Sequence, residues 1–443
     1  MNRVKRFPFL KTLKVVDGQM NMLETKNSWI DRMGIPSNLF WGYIGIVVFM
    51  IGDGLEHGWL SPYLVERGLS MEQAGFLFSL YGITVAISAW FSGVLVQMWG
   101  PRKTMIIGVV SFIIGSIVFI GIAIPSLNYP LILLSYGLRG LGYPLFAYSF
   151  LVWVSYNTPQ QSLARAVGWF WFVFELGLSV IGALYSSIMV SRIGEVATLW
   201  TALVFVAIGA ILSIVINKDR FNGKIVSDNK TKELLKGLTI MAEKPKVAIG
   251  GVVKIINSAA KFGFVVFLPT YMVGFNFTIT EWLQIWGTLF FVNIVFNLIF
   301  GVIGDKFGWV NTVTWFGGVG CGLATLALYY TPQIFGHNYW ALMLVACFYG
   351  AALAGYVPLT ALVPSLAPDN KGAAMSVLNL GSGLAAFVGP AIVALFIGPV
   401  GVGGLMWIFA ILYFVGAFLT RFLALPEQTT SYQPADQHQR LSV

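Results

Sequence analysis

The stretch NKDRFNGKIVSDNKTKELLKGLTIMAEKPK, residues 217–246, is the one substantial polar interruption between long apolar runs. A helix needs roughly 20 apolar residues to cross about 30 Å of hydrocarbon. Runs of that kind fall near 38–61, 73–98, 104–124, 130–155, 164–190 and 196–216 before the stretch. After it they fall near 247–271, 280–303, 311–330, 338–363, 373–397 and 402–424. The expected fold is an all-α membrane protein with twelve transmembrane helices in two six-helix bundles, 38–216 and 247–424. Residues 217–246 become a basic linker, and 1–37 and 425–443 become tails.

Composition agrees with that reading. The chain is 57% hydrophobic and 10% charged, against about a quarter charged in soluble domains. The net charge of +9 raises the question of a nucleic-acid partner, and the placement of the bases answers it. With both termini in the cytosol, cytosolic segments hold 22 Lys/Arg and the outer loops hold two, Arg67 and Arg192. That is a positive-inside pattern, so the basic balance reports topology in a cell membrane and requires no nucleic acid. The N-terminal tail has no compact apolar core ending in small residues, so it does not read as a cleavable signal. Two cysteines and three scattered histidines support neither a disulfide framework nor a metal site, and no cofactor is expected.

The halves repeat one another. LSPYLV at 60–65 and LPTYMV at 268–273 stand 208 residues apart, as do Gly93 and Gly100 from Gly301 and Gly308. Such a repeat suggests pseudo-symmetric bundles around a midplane site. GVIGDKFG at 301–308 resembles the signature loop of the major facilitator superfamily, with GVLVQMWGPRK at 93–103 as its first-half copy. GDGLE, YGLRGLGYPLFAYSF, VGWFW, IGEVATLW, EWLQIW and NKGAAMSVLNL are similar to the polyol permeases of that superfamily, the ribitol and arabinitol group. The resemblance covers about 34–424 and implies the superfamily fold, with Gln97, Arg102, Lys103, Asp305 and Lys306 as a cytosolic gate. Gln97 departs from the pattern, which expects Asp, so the first-half latch lacks its acid.

Charges inside spans are expensive and default to function. Asp53, Arg139, Glu175 and Lys261 each lie near a span centre, whereas Lys254 is placed where it can snorkel. Asp53 and Arg139 fall at matched depth, which predicts a pair between spans 1 and 4. Asp53, Glu56 and His57 stand at i, i+3 and i+4, one helical face, and two carboxylates so close in low dielectric do not both ionise cheaply. The cluster therefore reads as a proton-binding site, the alternative being a static Asp53–Arg139 tie between helices.

A polyol needs hydroxyl partners and flat apolar faces. Candidates are Tyr136 and Tyr143 on span 4, Trp171 on span 5 in a stripe with Glu175 and Ser179, and Asn257 on span 7. Trp286, Asn293 and Asn297 on span 8 and Asn379 on span 11 complete the set. Three acids (Asp53, Glu56, Glu175) balance three bases (Arg139, Lys254, Lys261), which suits a neutral ligand. The expected function is proton-coupled uptake of a pentitol by alternating access, by a monomer in contact with membrane lipids. The alternative is an organic-acid permease for a 2-oxoglutarate-like dicarboxylate, with Arg139 and Lys261 clamping carboxylates. No nucleophile–base set or metal cluster suggests an enzyme, and no filter-like repeat suggests a channel.

Overall fold

The computed structural model describes residues 30, 33–217, 221 and 239–424, which form helices without any strand among them. Both tails, beyond 33–37 and residue 30, and most of the linker lie outside the described residues. Six spans form the first half. They are α1 (Phe40–Gly54 and Leu60–Glu66), α2 (Met71–Trp99), α3 (Pro101–Ser126), α4 (Tyr129–Gly140 and 144–157), α5 (160–193) and α6 (Glu195–Ile216). The second half holds α7 (Pro245–Val273), α8 (Ile279–Phe307), α9 (Trp309–Phe335) and α10 (Tyr339–Ala354 and Leu359–Ser365). It ends with α11 and α12, which follow each other within Lys371–Thr420. Among the described residues ten helices are long and apolar enough to cross a membrane as continuous pieces. Twelve crossings result because Gly401, at φ 63°, divides the last long helix and because the broken α4 adds one more.

The internal repeat is written into the helix starts. Ser70 accepts from the Gln73 amide while Gln73 accepts from the Ser70 amide, and Thr278 with Glu281 forms the same reciprocal cap. Asn128 and Asn338 cap α4 and α10 alike. Gly100 (φ 83°) and Gly308 (φ 85°) turn the chain between spans 2 and 3 and between 8 and 9, in a region that favours glycine. Corresponding helices of the two halves thus start and turn alike.

The outward surface carries large exposed side chains such as Leu134, Leu298, Leu344 and Leu395. On a water-soluble protein this belt would be an association surface; around a bundle of spanning helices it faces lipid. The halves meet through α2 on α11, α5 on α8 and α1 on α7. Small residues permit the first contact: a Cβ at Gly82 would stand 2.2 Å from the Ala386 carbonyl oxygen, and one at Gly75 2.8 Å from the Ala394 nitrogen. Ser61 donates to the Val266 carbonyl at 2.6 Å across the same seam. All these contacts lie at the end of the bundle away from Arg102, Lys103, Lys306 and Lys371, so that end is sealed.

Candidate functional site

Toward the other, basic end the halves separate around a cavity of about 390 Å³. Its walls come from α2 (Trp90, Ser92), α4 (Tyr148), α5 (Trp171) and α11 (Ser376, Asn379, Ser382). Aromatic faces with a few hydroxyl and amide groups are the usual lining of a small-molecule site, and the volume is of that order. A much smaller cavity, about 20 Å³, lies toward the sealed end between Asp53, His57, Tyr81, Tyr143 and Pro390. Trp171, Asn379 and Tyr143 of the expected ligand residues line one or other space.

The segment GDGLEHGW does not continue as a helix. α1 ends at Gly54, residues 55–59 form turns with Gly58 at φ +93°, and a new helix begins at Leu60. The expectation that Asp53, Glu56 and His57 share a helical face is therefore corrected. Gly58 at φ +93° takes the backbone out of the helical region, and the break lies where α1 packs closely on α5: a Cβ at Gly54 would stand 1.9 Å from the Leu178 carbonyl oxygen. The freed Leu55 carbonyl is satisfied by the Ser186 hydroxyl and by the Trp59 indole N–H, as buried backbone requires.

Unwinding sends the three side chains to different partners. Glu56 takes Arg139 as an ion pair and accepts from the Tyr136 hydroxyl at 2.6 Å. The Arg139 guanidinium also stacks on Phe112, 4.5 Å from the ring centre. Asp53 instead accepts from the Tyr81 hydroxyl at 2.8 Å. The expected Asp53–Arg139 pair is thus corrected to Glu56–Arg139, because depth along a helix fixes height but not which way an unwound segment points. Tyr81, missed in the sequence, was visible only as a polar aromatic in the middle of an apolar span.

The second ion pair joins the halves. Lys261 of α7 donates to Glu175 of α5 at 3.1 Å, and Ser179 donates to the other Glu175 oxygen at 2.9 Å. Glu175 stands one turn from Trp171 on the same face and is followed at once by a π-helical segment, Leu176–Ile181. Such widened turns recur at functional positions. Lys254 lies two turns before Lys261, half-buried, with its stem against Gly381; a Cβ there would stand 3.2 Å from the Lys254 Cβ. Gly381 lies between the cavity-lining Leu380 and Ser382.

Other expected residues are engaged elsewhere. Trp286 packs on Trp282 and Phe290, Asn293 donates to the Gly350 carbonyl at 3.0 Å, and Asn257 accepts from Ser258 at 3.1 Å. Asn297 is half-buried on α8 and lines neither cavity. At the basic end Arg102 donates to the Asn217 carbonyl at 2.7 Å and lies over Trp153. Asp305 accepts from Trp309 at 3.0 Å, Lys103 and Lys306 are exposed, and the side chain of Gln97 lies outside the described residues. Among the described residues no group of three or more His, Cys, Asp or Glu is placed to hold a metal ion.

The expected charge balance changes with these pairings. Arg139 and Glu56 neutralise each other inside one half, and Asp53 is buried against Tyr81. The partly accessible charges that remain are the Lys261–Glu175 pair across the halves and Lys254, two turns before Lys261; none of the three lines either cavity. Two cations face one acid, an arrangement able to receive an anion.

The family model of the Major Facilitator Superfamily matches residues 42–334 and 251–442. An alpha-ketoglutarate permease of Bacillus subtilis (strain 168) is 64% identical over 425 residues, covering 96% of this chain and 98% of that protein. A D-arabinitol transporter and a ribitol transporter of Klebsiella pneumoniae are each 39% identical, covering 91% of this chain and 96% and 95% of theirs. Among solved structures, a D-xylose-proton symporter superposes with a TM-score of 0.68 at 14% identity, covering 90% of this chain and 98% of that one. At that identity the superposition speaks for the fold alone.

Proposed function

The chain belongs to the Major Facilitator Superfamily, and from that premise we propose that it is a permease for a small organic acid of the 2-oxoglutarate class. It is a multi-pass membrane transporter; the substrate is the finer step. The observation that carries it is the surplus of cations around the pair that joins the halves, Lys254 and Lys261 against Glu175. Arg139, the other expected carboxylate clamp, already holds Glu56 and has no accessible side-chain surface. The 64% identical alpha-ketoglutarate permease supports the same substrate class.

Transport follows from two access states. The sealed end and the cavity toward the basic end form one state, and rocking of the halves about the α2–α11 and α5–α8 seams forms the other. We place the basic end and both termini in the cytosol of a cell-membrane protein, on the strength of the positive-inside pattern. In that orientation the cavity is open inward. Uptake is driven by protons, and a monomer suffices because each chain holds both halves of the cavity.

A second reading, a pentitol as cargo, is favoured by the aromatic and amide lining of Trp90, Trp171, Tyr148 and Asn379 and by the 39% identical polyol transporters. Uptake of labelled 2-oxoglutarate into energised vesicles, in competition with ribitol, arabinitol and hexitols, separates the two. Inhibition by unlabelled 2-oxoglutarate and not by ribitol is expected. Ribitol uptake with no response to the dicarboxylate rejects the organic-acid reading.

A further inference from the structure

We propose that Glu175 and the substrate compete for Lys261: a proton moves onto Glu175, and a substrate carboxylate takes its place on the ammonium group. The inference rests on the organic-acid reading and assigns coupling to this pair, away from the Asp53–Glu56 segment. Geometry distinguishes the two sites. Glu56 and Arg139 expose 1% and 0% of their side chains and belong to one half, whereas Glu175 and Lys261 expose 25% and 17% and belong to opposite halves. Of the two pairs, only the second keeps accessible side-chain surface and joins the two halves.

Charge arithmetic gives the exchange its direction. With Glu175 ionised, the trio of Glu175, Lys254 and Lys261 carries one net positive charge. A dicarboxylate arriving in that state leaves a net negative site in low dielectric, which is costly. With Glu175 neutral, two lysines meet two carboxylates and the occluded site is neutral. The steps balance: one proton is taken from solvent by the Glu175 carboxylate, the Lys261 N–H···O contact to Glu175 opens, and the same N–H group donates to the substrate. Ser179, which donates to Glu175 at 2.9 Å, also has a lone pair with which to accept from the protonated acid. Lys254 and Lys261 are seven residues apart, about 10 Å along the helix. Two flexible lysine stems close that gap around a five-carbon diacid.

The groups that interact electrostatically with Glu175 come from three neighbouring spans. They are Lys261 and Lys254 on α7, His57 in the α1 break, and Tyr143 and Tyr148 on α4. Because Lys261 bridges to the other half, loading and release also make and break a tie between the bundles. The exchange therefore couples occupancy to the rocking motion that the fold requires.

The test is calorimetric binding of 2-oxoglutarate, and of ribitol, to the full chain purified in nanodiscs, in buffers of different ionisation enthalpy. Wild type is expected to take up about one proton per 2-oxoglutarate, with affinity falling by up to about tenfold per pH unit as pH rises. Glu175→Gln should bind 2-oxoglutarate with no proton uptake and a flat pH profile, and Glu175→Asp should restore both. Thermal unfolding confirms that each variant is folded, and the wild-type proton count tests the idea even where one is not. Binding of 2-oxoglutarate without proton uptake, or with the same uptake in Glu175→Gln, overturns the exchange but leaves the organic-acid reading standing. Binding of ribitol alone, or of neither ligand, overturns both.

Discussion

Two ion pairs of the same chemistry sit in this membrane bundle under opposite constraints. Arg139–Glu56 is sealed within the first half, braced by Tyr136 and by the face of Phe112. Lys261–Glu175 spans the two halves and keeps part of its surface open. Burying a pair completely makes each charge indispensable to the other, because losing one partner strands the second in low dielectric. Leaving a pair partly open, across a seam that moves, makes the same contact exchangeable. In the exchange proposed above, the difference separates a structural tie from a working one.

Removing one partner from each pair tests that separation most severely. Arg139→Leu should destabilise the protein by about 3–5 kcal/mol, read as loss of folded, monodisperse protein and a lower unfolding temperature. The double variant Glu56→Gln/Arg139→Leu should recover most of the loss. Lys261→Gln should lower the unfolding temperature less than Arg139→Leu does, because Glu175 keeps Ser179 as a donor and a quarter of its side-chain surface open, yet abolish accumulation of substrate. Equal destabilisation at both sites, or rescue of Arg139→Leu by Asp53→Asn in place of Glu56→Gln, breaks the comparison.

Lys254 sharpens it on the side of the open pair. Among the described residues it makes no ion pair, so if it receives a substrate carboxylate, Lys254→Gln should weaken 2-oxoglutarate binding about tenfold, or about 1.4 kcal/mol. Thermal stability should stay close to wild type because its stem still lies along Gly381. An unchanged affinity in a competition assay would remove Lys254 from the anion site and restore it to the snorkelling role its sequence position allows.

Asp53 sits between the two categories, buried like the sealed pair but without a cation in contact. Asp53→Asn keeps an acceptor for the Tyr81 hydroxyl and exchanges a charge-assisted hydrogen bond for a neutral one, a change of about 1 kcal/mol. Gradient-driven accumulation should survive if coupling lies at Glu175. Accumulation lost, with substrate exchange retained, would return the coupling proton to Asp53.

The fold was legible because hydrophobic length, polar interruption and repeat spacing act over whole spans. No single contact overrides such signals. The paired caps at Ser70 and Thr278 and the turns at Gly100 and Gly308 show the repeat at the level of single residues. The site was less legible for a specific reason. Sequence depth put Asp53 and Arg139 at one height, but the helix unwinds at 55–59 and it is Glu56 that meets Arg139. Once a helix unwinds, the i, i+3, i+4 rule no longer says where its side chains point. Counting all six intramembrane charges as one balanced set failed for the same reason, since three of them are consumed inside the first half.

The smallest expected effect concerns the signature loops at the basic end, where the two halves again differ. Asp305 is held by Trp309 four residues on, at 3.0 Å, so in the state with this end open it is tied to its own loop and not to the other half. Arg102 of the first-half loop is likewise occupied by the Asn217 carbonyl and the face of Trp153. In the gate that the superfamily resemblance implies, a latch at this end forms only when the halves close there. Asp305→Asn should favour the state open at the basic end, and Gln97→Asp, which supplies the acid that the first half lacks, should favour its closure. Each shift should be several-fold at most, because a peripheral charge biases a two-state equilibrium by only a small difference in free energy. Cysteine labelling from each side of the membrane reads the populations. Trp309→Phe is the necessary control: it removes the donor to Asp305 while keeping the acid. If Trp309→Phe reproduces Asp305→Asn and Gln97→Asp leaves labelling unchanged, Asp305 serves only to shape its turn, and closure of this end belongs to the packing of the spans.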